Sequence, residues 1–231
     1  GESCAYKAQA HHQDFCGQPG KEINIKPTKG STKQRVQDNM QNGLPSTATP
    51  NKGKGACHRI ILIGYMGAGK TTIGKALAAE LGLRFYDLDW YIESRMRKTV
   101  AQLFAEMGEE GFRRIERNML HEVAEFEDVL ISCGGGTPCF FDNMQYINQQ
   151  GHTLYLKASP DVLYKHLKMG KSVRPLLLNK TPDEVKAFIS EQLAAREPFY
   201  LLAHHTLDVS LMDNFEKIKL SVAQAKEVLG V

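Results

Sequence analysis

Arg59-Ile-Ile-Leu-Ile-Gly64-Tyr-Met-Gly67-Ala-Gly69-Lys70-Thr71-Thr72 carries a short Ile-rich apolar run straight into a G-x-x-G-x-G-K-T motif. Behind it, Ile73-Gly-Lys-Ala-Leu-Ala-Ala-Glu-Leu81 repeats its apolar residues at helical spacing. The order is strand, phosphate loop, helix, and that context gives the motif its meaning. Glycines at 64, 67 and 69 let backbone N–H groups come close to an anion, while the helix that follows points its positive N-terminus at the same place. Gly67, Ala68, Gly69, Lys70, Thr71 and Thr72 therefore form a candidate ATP-binding segment. Lys70 is placed to reach the β- and γ-phosphates, and the Thr71 hydroxyl is a candidate Mg²⁺ ligand.

Working outward, 231 residues suit one domain plus an appendage, and 42% hydrophobic residues are enough for a real core. The net charge of +3 is unevenly placed. Eight Lys or Arg stand against four Asp or Glu up to Cys57, which leaves the remainder close to balance and gives no argument for nucleic acid or a membrane surface as partner. No apolar run approaches the roughly 20 residues that span a bilayer. Five cysteines (4, 16, 57, 133 and 139) form no C-x-x-C pair, so neither a disulfide framework nor a zinc ribbon is expected. A reducing compartment is the simpler assumption.

Residues 1–57 are dominated by Gln, Asn, Lys, Gly, Ser, Thr and Pro, with no sustained period, and read as a disordered N-terminal extension. Cys4, His11, His12 and Cys16 match no zinc spacing. Only Arg35 interrupts an otherwise Arg-free stretch, so the pattern of a mitochondrial presequence is missing; a targeting peptide, an upstream extension and a cloning remnant all stay open.

After the first helix, Leu83-Arg-Phe-Tyr-Asp87-Leu-Asp89 reads as a strand ending near Asp87, with a helix beginning around Asp89. Two carboxylates at i and i+2, at the carboxyl end of a strand, lie where open α/β sheets place ligands. In that reading Asp87 faces Mg²⁺ and the phosphate loop, and Asp89 faces a phosphoryl acceptor. In the plainer one Asp89 is a helix N-cap and Asp87 a solvated strand end. Spacing alone leaves the two open.

Thr99 to Gly108 reads as a short helix stopped by glycine, followed by a helix with Phe112, Ile115, Met119, Leu120 and Val123 on one stripe. Arg113 and Glu116, at i and i+3, are in isolation a commonplace surface pair. Asp128 to Ser132 is a second buried strand that runs through Cys133 into Gly134, Gly135 and Gly136, where a ligand can lie against bare backbone. Cys133 and Cys139 read as structural thiols. Thr153 to Leu156 and Thr206 to Val209 read as further strands; Ser159-Pro160, Thr181-Pro182 and Asp213 open helices, and His204 and His205 fall in a connector. Between the middle helices, the basic stretch around 168–180, broken by Gly and Pro and carrying Arg174, suits a mobile lid over a nucleotide site.

Taken in order, G-Y-M-G-A-G-K-T, Asp87-x-Asp89, Gly111-Phe-Arg113-Arg-Ile-Glu116, the glycines 134–136, Val173-Arg174-Pro175-Leu176 and Arg196-x-Pro198-x-Tyr200 resemble shikimate kinase over residues 58–231. The resemblance implies an α/β, three-layer P-loop fold with a five-stranded parallel sheet. It implies transfer of the ATP γ-phosphoryl group to the 3-hydroxyl of shikimate, with Mg²⁺ as cofactor. It makes Lys70, Asp89 and Arg174 the catalytic group, Asp89 being the base and Arg174 meeting the phosphates from the lid. It gives Arg113 and Arg196 the substrate carboxylate, Gly134, Gly135 and Gly136 the substrate-facing backbone, Glu116 a supporting place, and Thr71 with Asp87 the metal. Two departures stand out: Lys168 and Lys171 occupy the lid where a second arginine is expected, and Met212-Asp-Asn214 matches the family's adenine-side loop only loosely. Small-molecule partners, a monomer and a bacterial cytoplasm, with a plastid second, complete the expectation. The rivals are another small-molecule kinase, such as one acting on gluconate, and a catalytically silent nucleotide-binding module.

Overall fold

In the computed structural model, residues 58–170 and 181–231 are described. The expectations for residues 1–57, for Arg174 and for most of the lid lie outside the described residues.

Five strands form one parallel sheet in the order β2-β3-β1-β4-β5: β1 Arg59–Ile63, β2 Arg84–Asp87, β3 Val129–Ser132, β4 His152–Lys157 and β5 His205–Asp208. Every neighbouring pair is parallel, and Leu62 and Asp87 both register on Ser132. A parallel sheet covered on both faces calls for strands apolar on both sides. Ile60 to Ile63 and Val129 to Ile131 meet that demand and are almost wholly buried. The crossover from β3 to β4 passes to the other side of β1, so the chain reverses its winding beside the central strand and opens a crevice at the strands' carboxyl ends.

Seven α-helices flank the sheet among the described residues: α1 Lys70–Leu81, α2 Leu88–Met96, α3 Val100–Ala124, α4 Asn143–Gln150, α5 Pro160–Met169, α6 Pro182–Tyr200 and α7 Phe215–Leu229. Local chemistry sets their starts. Thr99 with Gln102, and Thr181 with Glu184, are capping boxes, and Ser159 caps α5 ahead of Pro160. None is long and apolar enough to cross a membrane.

Several expectations are corrected. Lys168 and Met169 belong to α5 rather than to the lid. The helix break expected at Gly108 is present: its φ of 69° and ψ of −178° are non-helical, a conformation glycine adopts without a Cβ penalty, so α3 is two helical segments joined at a kink. The last helix is capped by Asn214, whose side chain accepts from Lys217 N–H at 3.0 Å, not by Asp213. His205 lies in β5 rather than in a connector. Helix α4 was not expected at all.

Candidate active site

The crevice at the carboxyl edge has a volume of about 670 Å³, well within the range of small-ligand sites. One of its walls is the phosphate loop. Gly67 and Gly69 have φ of 84° and 88°, and Gly69 caps α1 in the left-handed conformation, which turns successive backbone N–H groups to one side. Lys70 Nζ donates to Gly64 O at 2.8 Å and to Tyr65 O at 3.0 Å, so the ammonium is held across the loop.

Asp87 and Asp89 do not share a strand. The strand stops at Asp87, which is itself the N-cap of α2, accepting from Trp90 N–H, while Asp89 sits in that helix's first turn. The expected cap thus belongs to the other carboxylate. Asp87 also accepts a hydrogen bond from the Thr71 hydroxyl at 2.9 Å. These are two hard oxygens held together at the start of α1, a donor type that would suit Mg²⁺.

Asp89 is exposed to the open crevice, yet the protein packed around it takes away part of the water that would stabilise its charge. That desolvation comes first, with the carboxylates of Asp87 and Glu116 adding repulsion against the pull of Lys70, and together they raise its pKa to about 6.

The Arg113–Glu116 pair is a correction to the surface reading. Their side chains are only 11% and 1% exposed, with Nη1 and Oε2 2.8 Å apart. The Arg113 guanidinium stacks on Phe140, 4.1 Å from the ring centre, and Phe104 and Phe112 stand close by. Glu116 is fixed from its other oxygen by the Thr137 hydroxyl at 2.6 Å, and Thr137 O by Asn143 Nδ2 at 2.9 Å. Arg113 Nε is buried without a hydrogen-bond partner among the described residues, a donor that an anionic ligand could satisfy.

The three glycines each look onto a different group. A Cβ on Gly134 would lie 2.9 Å from Asp89 Oδ1, one on Gly136 would lie 2.6 Å from Arg113 Nη2, and one on Gly135 would meet Arg196 Nη1 at 3.7 Å. Backbone, both guanidiniums and the carboxylate thus share one small volume beside the phosphate loop, whose Met66 N and Gly64 O would lie 3.4 and 3.6 Å from the same Gly135 Cβ. Tyr200 donates to Gly135 O and pins the middle of the turn.

Apart from Ala68, which is buried, the site residues expected from the sequence and present among the described residues line this crevice. The sequence reading passed over His166, Thr137, Phe104 and Phe140, whose roles depend on contacts far along the chain. Burial pushes the Cys133 and Cys139 thiols up, the latter to about 11, so neither is a thiolate at neutral pH.

The family model for shikimate kinase matches residues 66–225. The chain belongs to the shikimate kinase family. It is 56% identical over 172 residues to a shikimate kinase of Phocaeicola vulgatus, covering 74% of this chain and 98% of that protein. Among solved structures, shikimate kinase from Bacteroides thetaiotaomicron aligns with a TM-score of 0.74 at 52% identity, over 76% of this chain and all of that one. A shikimate kinase from Acinetobacter baumannii, solved in complex with shikimate, aligns with a TM-score of 0.65 at 30% identity, over 75% of this chain and 94% of that one. The chain is accordingly an ATP-using P-loop kinase of the shikimate pathway.

Proposed function

We propose that this chain transfers the γ-phosphoryl group of ATP to the 3-hydroxyl of shikimate, giving shikimate 3-phosphate and ADP. The observation that carries the substrate reading is the pair of guanidiniums, Arg113 and Arg196, brought beside bare glycine backbone and Asp89 in the crevice that the phosphate loop closes. A carboxylate flanked by hydroxyls suits that arrangement, because guanidinium forks can grip carboxylate bidentately. Arg113 already pairs with Glu116, and a neutral acceptor would offer no anion to Arg196, whose side chain bonds to Gln192.

In this reading the loop amides and Lys70 hold the triphosphate. Thr71 and Asp87 would hold Mg²⁺, which when bound neutralises phosphate charge. Arg113 and Arg196 fix the substrate carboxylate, Glu116 keeps Arg113 in place, and the Gly135 backbone lets the ring approach. Asp89 accepts the hydroxyl proton as the oxygen–phosphorus bond forms and the bond to the ADP oxygen breaks. Positioning and charge neutralisation carry most of such a reaction, so a base of modest strength suffices. Arg174 is assigned to the phosphates by resemblance. The bacterial relatives support a cytoplasmic setting over a plastid one.

ADP release measured across shikimate, gluconate and AMP tests the proposal. Turnover with shikimate alone is the expected result, and faster turnover with gluconate or AMP would overturn the substrate assignment.

Gly135→Ala tests the close approach of backbone to substrate. The new Cβ would lie 3.4 Å from Met66 N, 3.6 Å from Gly64 O and 3.7 Å from Arg196 Nη1, ordinary contacts that the fold accommodates, and the methyl group would crowd the arginine assigned to the substrate carboxylate. The KM for shikimate should rise at least about tenfold, with the KM for ATP and the melting temperature little changed. An unchanged KM for shikimate would remove Gly135 from the site.

A further inference from the structure

His166 stands on α5, the helix packed directly on the phosphate loop: a Cβ added to Gly67 would meet Leu167 Cγ at 3.0 Å and Leu163 O at 3.2 Å. Its ring bonds to backbone on both sides. Nδ1 lies 2.7 Å from Gly67 O, and Nε2 lies 2.9 Å from Met212 N. A carbonyl only accepts and an amide N–H only donates, so the ring is the neutral tautomer with its hydrogen on Nδ1. Neither partner is local, since Gly67 is 99 residues away and Met212 is 46. The imidazole is a bracket between the phosphate loop and the segment joining β5 to α7.

What the bracket holds is a wall of the crevice. Met212 reaches back over the loop so closely that a Cβ on Gly69 would come within 2.0 Å of its Cε. His166 and Met212 both line the crevice. With the phosphates over the loop amides and the acceptor toward Asp89 and Gly135, the sugar and base of the nucleotide must leave past this wall, where a thioether offers a polarisable apolar contact.

We propose that His166 is a nucleotide-positioning residue, which sets the place of the nucleotide's sugar and base by holding Met212 to the phosphate loop. The inference rests on the kinase reading above. Of its two hydrogen bonds, the one accepted from Met212 N–H is the one that matters for affinity, because the other joins groups that α5 already packs together.

The bond-by-bond variants separate these roles. In the full chain, His166→Gln keeps an acceptor near the position of Nε2, His166→Asn keeps a donor near Nδ1, and His166→Ala keeps neither. Losing one part-buried hydrogen bond of this kind corresponds to about a five- to tenfold change. His166→Asn and His166→Ala should weaken ADP binding and raise the KM for ATP by that factor, whereas His166→Gln should stay within about twofold of the unaltered protein. The KM for shikimate and the affinity for inorganic tripolyphosphate should hold in all three, because neither ligand reaches the Met212 wall. Equal weakening of tripolyphosphate and ADP would place the effect in the phosphate loop itself and overturn the proposal. So would ADP affinities that do not distinguish Gln from Asn, a comparison that stands even if His166→Ala fails to fold. ADP binding needs no turnover, so the expected pattern in a chain inactive toward shikimate would defeat the substrate assignment and leave this inference intact.

Discussion

Lys70→Ala should lower kcat about a thousandfold, or roughly 4 kcal/mol of transition-state stabilisation, while the KM for shikimate stays within about twofold. The side chain is held at its tip by Gly64 O and Tyr65 O, so its charge already lies within the loop before any nucleotide arrives. Charge that builds on the transferring group is met by an ammonium held beside it, and charge neutralisation carries most of such a transfer. The fold should be indifferent to the change. Lys70 is only partly buried, and α1 keeps its glycine cap and its buried residues Ile73, Leu77 and Ala78. Steady-state ADP release and thermal melting check both halves. A kcat within about tenfold of the unaltered protein would remove Lys70 from the chemistry and, with it, the assignment of the loop as the phosphate cradle.

The loop could be read from the sequence because everything that makes it is consecutive: strand, three glycines, lysine, threonine and helix depend on their immediate neighbours. The same holds for the caps at Thr99, Ser159 and Thr181, each decided within four residues. Asp87 and Asp89 show where this stops. Their spacing suited a strand end equally with a helix start, and the outcome turned on Asp87 capping α2 while also accepting from Thr71, a residue in another element. Arg113 and Glu116 show it more sharply. On the helix they form a pair worth a few tenths of a kcal/mol, but Phe140, Thr137 and Asn143, which follow the β3 strand, bury the pair and order it. No local pattern contains that fact. His166 was silent for the same reason: on an amphipathic helix it has the spacing of any half-exposed residue, and its partners are reached only through the sheet.

Asp89→Asn should separate activity from stability in opposite directions. Asparagine occupies nearly the same space but cannot accept a proton, so kcat should fall about a hundredfold or more. The stability effect follows from the raised pKa, about 6 in the folded protein against 3.8 for the free side chain. Between those values the folded state holds the proton more tightly than the unfolded one, so stability from this group is present at low pH and is lost as pH rises through about 6. At neutral pH the ionised carboxylate therefore works against folding, though the water that reaches it in the open crevice screens much of the cost. The neutral amide removes that cost, and the melting temperature at pH 7.5 should rise rather than fall, with the gain shrinking toward pH 4. For the unaltered enzyme the same titration runs through kcat/KM, which should decline below about pH 6 as the base is protonated, while the residual activity of Asp89→Asn should lose that limb. A variant that melts lower at pH 7.5 and retains the acid limb would show that the group titrating near 6 is another one, and that Asp89 supports the crevice rather than accepting the substrate's proton.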